Sequence, residues 1–279
     1  MKNLFKGSIY IFLLILISYV AASFSHKTNN LPNLCEMENV SFTNGEKLVY
    51  KIYYNWKFIW VPAGEVVMRV KENLNDFEVK VDGSTYEAYD NFFRVRDYFY
   101  TKIDKKSLKP ISFVRIVEEG DYRKFDSIAF NYHNNSAISV VGKTRQDAKA
   151  EYHKLDDCMH DLVSILYSMR NTPVDRFKKG DVIPTKVFFD RETFPIKVKY
   201  NGKEKSKSIK DLGKFNTIKI SPDLVSGNVF KEETRMDIWV TDDGNKIPLL
   251  IESPLKVGSG KAFLKSYSGL RHPLTSKLK

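Results

Sequence analysis

From Lys47 onward, apolar residues fall at every second position. Leu48, Tyr50, Ile52, Tyr54 and Trp56 share one face, and Lys47, Lys51 and Asn55 the other. Successive side chains of an extended chain point to opposite sides, so this alternation predicts a half-buried β-strand. Val66, Met68 and Val70 continue it after Pro62-Ala63-Gly64, which reads as a turn. Further strands are predicted over 77–81, 95–103, 111–117, 124–132 and 137–141, with Asn134-Asn135 turning the last pair. In the second half, strands are predicted over 187–189, 215–220, 230–241, 247–252 and 262–267. Phe194, Ile196, Val198 and Tyr200 alternate with Lys197 and Lys199 and run straight into Asn201-Gly202. That dipeptide suits a two-residue type I′ turn, because both central positions need positive φ.

One segment changes period. Leu162, Ile165, Leu166 and Met169 recur at helical spacing, which predicts a helix over 157–170 with this apolar face packed on a sheet. Asp156 and Asp157 are its expected N-caps, Arg170 sits in the last turn and Pro173 stops it. The fold class that results is mainly β: antiparallel curved sheets or a barrel, with one short helix.

Two hairpins echo each other. Tyr100 to Asp104 followed by Pro110-Ile111 resembles Ile238 to Asp242 followed by Pro248-Leu249. Either the chain holds two similar half-barrels, over 42–150 and 173–272, or the turn chemistry of Asp and Pro produces the likeness alone.

The first residues bear on compartment rather than fold. Lys2 and Lys6 precede an unbroken apolar run from Ile9 to Ile17, and Val20-Ala21-Ala22-Ser23 supplies small side chains for a signal peptidase. Residues 1–22 therefore read as an export signal, cleaved after Ala22 or Ser23, and the run is short for a membrane span. Polar residues 23–41 read as a linker, and 42–272 as the β-rich domain. No cysteine follows the small residues, so the exported product is expected to be soluble in the periplasm or beyond. There Cys35 and Cys158, the only two cysteines, are expected to pair.

Composition supports a packed domain: 42% of the 279 residues are hydrophobic, with 19 Phe and 15 Tyr. The net charge of +11 favours anionic surfaces, including peripheral contact with a membrane, or simply solubility. Nucleic acid is excluded as a partner by export and by the scatter of the lysines along the chain.

The stretches Gly45 to Tyr50, Trp56 to Trp60 with Ala63-Gly64-Glu65, and Phe113-Val114-Arg115 with Glu119-Gly120 resemble blocks of the family called domain of unknown function 3108. So do Asp161 to Tyr167 with Arg170, and Ile238-Trp239 with Asp242-Asp243 and Ile247-Pro248. The resemblance implies an exported β-rich envelope protein of Gram-negative bacteria, and no activity. The hairpin echo is also loosely similar to the half-barrels of periplasmic lipoprotein carriers, an analogy of fold alone.

Candidate chemistry is sparse. His153, Asp156, Asp157, Cys158, His160 and Asp161 form the densest polar cluster. Positions 158 and 160 do not face each other on a helix, and no two histidines have metal-ligand spacing. Asp161, Ser164 and His272 lack a nucleophile elbow. No enzyme, metal or cofactor is expected. The aromatic supply is more suggestive: Arg94, Arg96, Tyr98 and Tyr100 share one face of a strand, with Trp56 and Trp60 nearby. If that face is concave, its rings and guanidinium groups suit a lipid or other envelope amphiphile. A non-catalytic carrier of a hydrophobic or amphipathic ligand is the expected function. The alternatives are an envelope-assembly factor with no ligand and, at a distance, a glycan-acting enzyme. Protein partners are not legible.

Overall fold

The computed structural model describes residues 37–56, 59–156, 158–223, 235–255 and 258–279, without the side chains of Trp56 and Phe92. The segment predicted to be an export signal, most of the predicted linker, Cys35 and Asp157 lie outside these residues.

The first arm of the fold is an antiparallel meander: β1 (Lys47–Trp56), β2 (Ile59–Glu72), β3 (Asp76–Thr85), β4 (Val95–Asp104), β5 (Pro110–Glu119), β6 (Tyr122–Asn131), β7 (Ser136–Gly142) and β8 (Lys149–Lys154). The second arm holds β9 (Val182–Phe189), β10 (Glu192–Ile209), β11 (Gly213–Pro222), β12 (Asp237–Thr241), β13 (Pro248–Pro254) and β14 (Ser259–Ser268). Among the described residues two α-helices interrupt the strands, α1 (Glu87–Phe93) and α2 (Ser164–Arg170). All fourteen strands form one sheet in the order β8-β7-β6-β5-β4-β3-β2-β1-β14-β13-β12-β11-β10-β9. Every ladder joins sequence neighbours except β1 to β14, where Lys47 faces Ser268. The fold class is thus mainly antiparallel β, a single open sheet.

The sheet is unpaired between β8 and β9, and α2 lies in the connection across that gap. His160 bridges β9 in parallel: its N–H donates to the Lys186 carbonyl at 3.0 Å, and its carbonyl accepts from Phe188 at 2.8 Å. Side chains complete the seam. The Asp190 N–H donates to Asp126 Oδ2 at 2.9 Å, and Arg191 Nη2 to the Lys149 carbonyl at 2.7 Å. No helix among the described residues is long and apolar enough to cross a membrane.

Two turns expected from the sequence are bulges instead. Pro62-Ala63-Gly64 lies inside β2, where Ile52 faces Gly64 and Tyr53 faces Pro62, leaving Ala63 as the extra residue. A bulge accepts a residue without an N–H. A Cβ on Gly64 would lie 2.1 Å from the Ser84 carbonyl oxygen, so the neighbouring strand requires glycine there. Asn201-Gly202 likewise sits inside β10, opposite a register shift, with Gly202 at φ +94°. The left-handed glycine that signalled a hairpin serves a bulge equally well. The two-residue turn falls at Asp190-Arg191, at φ +52° and +67°. Contacts from β6 hold Asp190 there, including Lys124 Nζ at 2.5 Å from its Oδ1.

The helix at 164–170 is shorter than predicted, and α1 was not predicted. Asp156 does not cap α2 but pairs with Lys186, and Asp157 lies outside the described residues. Buried Asp161 caps the helix, its Oδ1 accepting from the N–H groups of Val163 at 2.7 Å and Ser164 at 2.9 Å. Thr101 Oγ1 on β4 donates to its Oδ2 at 2.7 Å and ties the cap to the sheet.

Candidate functional site

Helix α2 has two unlike sides. The buried one carries Ser164, Tyr167, Ser168 and Arg170. Arg170 reaches Glu46 with both terminal guanidinium nitrogens at 2.7 Å, donates from Nε to the Asn245 carbonyl at 3.0 Å, and lies over the rings of Tyr167 and Phe42. Residues from before β1 close the helix C-terminus: Ser41 Oγ donates to the Arg170 carbonyl at 2.7 Å, and the Val40 N–H to Asn171 Oδ1 at 2.7 Å. Phe42, Tyr167 and Phe77 stack edge to face. On this side the interior is filled.

The other side is the predicted apolar stripe: Leu162, Ile165, Leu166 and Met169. It was expected to pack on a sheet. Leu162 and Met169 do touch the core, but the stripe as a whole lines a cavity of about 670 Å³, and Leu166 stays 36% exposed. Facing it, alternate residues of β9 (Ile183, Thr185, Val187, Phe189) and β10 (Phe194, Ile196, Val198, Tyr200) form the opposite wall, with Ile218, Ile220, Ile238 and Val240 continuing it along β11 and β12. The walls are thus almost wholly aliphatic and aromatic.

Polar groups mark three levels. At the more exposed end, beside Asp190 and Glu192, Arg115 Nη2 lies 3.5 Å from Asp126 Oδ2 and 3.7 Å from Asp190 Oδ2, with its guanidinium over the Phe189 ring. Burial pushes the Asp126 carboxyl above its ordinary range. Midway, the Thr185 hydroxyl is buried without a hydrogen-bond partner among the described residues. Elsewhere on the wall stands the partly exposed Lys246, with Tyr200, Thr172 and Arg170.

The residues singled out from sequence lie elsewhere. Along β4 the inward positions are Phe99, Thr101 and Ile103, so Arg96, Tyr98 and Tyr100 sit on the opposite face of the sheet and none lines the cavity. Arg96 clasps Asp90 of α1, with Nη2 2.5 Å from Oδ2, and donates to the Val95 carbonyl at 2.6 Å, fastening α1 to β4. Arg94 follows α1 and stands 3.8 Å from Glu118. The Lys80 ammonium lies over the Tyr100 ring, and the Lys261 ammonium over the Trp60 ring. The face is therefore not the concave surface that its Arg–Tyr pattern suggested. Trp56 is on β1, its side chain outside the description.

The cluster before α2 is not assembled for catalysis either. His160 is buried, and burial, aided by the charge of Lys109, lowers its pKa to about 4, so it is neutral at physiological pH. Ser164 Oγ accepts from the Asp161 N–H at 2.9 Å, whereas His272 Nε2 contacts the Val40 carbonyl at 2.6 Å. Cys158 is not a free thiol.

The stripe and the alternation of β9 and β10 are plain in the sequence. That they face each other across a space rather than pack together is set by the polar side of α2, which binds the first arm through Glu46 and Thr101.

Residues 49–265 match the family described as "Protein of unknown function (DUF3108)". No curated protein matches the chain. Among solved structures, a β-barrel-like protein of domain of unknown function DUF1849 from Brucella abortus is similar, with a TM-score of 0.57 at 9% identity over 82% of this chain and 99% of that one. At that identity the likeness concerns the fold. The family match runs from β1 into β14, and the chain belongs to the DUF3108 family of proteins of unknown function.

Proposed function

We propose that this protein is a non-catalytic, exported binding protein that holds an apolar or amphipathic ligand in the cavity between α2 and strands β9 to β12. The observation that carries the reading is the pair of unmatched apolar surfaces. The stripe of α2 and the inner face of β9 and β10 stand opposite each other with about 670 Å³ between them. Protein interiors normally close such space, because apolar side chains gain by contact. A concave apolar volume of this size with few polar groups is the usual form of a small-molecule site. Export rests on the leader at residues 1–22, and pairing of Cys35 with Cys158 would tie the segment before β1 to the seam.

The test is titration with 1-N-phenylnaphthylamine, an uncharged fluorophore that brightens in apolar surroundings. Saturable binding at one site per chain, lost in Ile196→Trp, supports the reading. Absence of saturable binding overturns it in favour of an assembly factor without a ligand.

A further inference from the structure

The echoed hairpins differ at one informative place. In both, the first strand ends in a bulge, between Lys102 and Ile103 and between Trp239 and Val240, and an Asp orders the turn. Asp104 Oδ1 accepts from Ser107 N–H at 2.8 Å, and Asp243 Oδ1 from Asn245 N–H at 3.0 Å. Two residues before the proline that opens the next strand, each hairpin has a left-handed residue, Leu108 at φ +55° and Lys246 at φ +45°. Leu108 is 1% exposed and fills the core of the first arm. Its counterpart Lys246 is half-buried and lines the cavity in the second.

A lysine in that place is costly unless something answers its charge. Among the described residues no carboxylate pairs with it. Asp242 and Asp175 are taken by Lys203 at 3.0 and 3.3 Å, Asp243 holds the turn and Ser276, and Arg170 is satisfied by Glu46. Burial lowers the Lys246 pKa, and the like charge of Arg170 adds to the effect against the pull of the three aspartates.

Given the binding reading above, on which this rests, we infer that the ligand is a single-chain amphiphile with a monoanionic carboxylate head, held with the head on Lys246 and the tail along Leu162, Ile165 and Leu166. The other cations on the cavity are poor anion sites, because Asp126 and Asp190 already face Arg115 and Glu46 already pairs with Arg170. A carboxylate matches one ammonium, whereas the second charge of a phosphate monoester would remain unanswered among apolar walls.

The experiment is displacement of bound 1-N-phenylnaphthylamine from the intact mature protein by laurate, methyl laurate and dodecyl phosphate. The wild type should favour laurate over its methyl ester at least tenfold, and over dodecyl phosphate as well. Lys246→Met, which keeps length and apolar bulk, should abolish the preference while methyl laurate binds as before. Lys246→Arg should retain it. In the unliganded protein Lys246→Met should also raise the melting temperature. Equal binding of acid and ester by the wild type, tighter binding of dodecyl phosphate, or a preference that survives Lys246→Met overturns the head-group assignment and leaves the cavity reading standing. Failure of the fluorophore itself to bind removes both.

Discussion

The two arms of the sheet meet the same short helix on opposite sides. Toward the first arm, α2 presents a capping aspartate, two serines, a tyrosine and an arginine, each bonded or packed, and the interior there is solid. Toward the second arm it presents Ile165, Leu166 and Met169, with Leu162 just before it, and these line the cavity, Leu166 being the most exposed. The polar side is thus the structural one and the apolar side is left available, the reverse of an ordinary amphipathic helix. Directional bonds can hold a helix at a distance from a sheet, whereas an apolar face would pull it into contact.

The largest expected effect breaks the locked side. Replacing Glu46 by Ala leaves the Arg170 guanidinium buried without its carboxylate, at a cost of about 3–5 kcal/mol in urea unfolding. Ligand capture should fall with it, because the helix loses its anchor. A change under about 1 kcal/mol would mean that the pair does not fix α2.

Next is pH. His160 is held at about 4 in the folded protein against an unfolded value near ~6.5. Between those values the unfolded chain binds more protons, so stability is full above about pH 6.5 and declines as pH falls toward 4, by up to about 3 kcal/mol. His160→Gln should flatten that part of the stability–pH curve and leave the neutral region parallel. An unchanged slope would remove His160 as its source.

Leu166 separates the two sides most cleanly. With 36% of it exposed, Leu166→Asp should cost about 1 kcal/mol or less, yet weaken fluorophore binding at least tenfold. Cooperative loss of the whole fold would show that the apolar side is structural after all. Smallest is Arg96→Gln on the outer face, which should leave the dissociation constant unchanged and shift the melting temperature by roughly 2 °C or less. A binding defect there would move the site to β4.

How legible all this was varies by element. Strands with one apolar face were plain, since period two holds along each stretch between bulges, as over Val66, Met68 and Val70 of β2 and Phe194 to Tyr200 of β10. β8 was not, because an edge strand reading Lys-Ala-Glu-Tyr-His-Lys buries almost nothing and carries the charges that guard an edge. α1 is too short to show a period. Glycine signalled positive φ correctly at Gly202, but a bulge and a hairpin share that need, and only the partner strand decides. For the site, the Arg–Tyr face on β4 was real as a face. Which side of a strand becomes concave depends on how the whole sheet curls, and no local window carries that. The cavity required knowing that Glu46, far away in sequence, holds α2 back.

The order of the strands bears on how the chain assembles. Among the described residues thirteen strand pairs hold the sheet together, and only β1 with β14 unites distant parts of the chain. Each arm can grow hairpin by hairpin, with little loop entropy lost at any step. Joining them closes a loop nearly the length of the domain, and such non-local pairing is slow to form. A circular permutant cut in the connection between β8 and β9, with the present ends joined by a short linker, would make every strand pair a sequence neighbour. It should refold faster than the natural order while forming the same cavity.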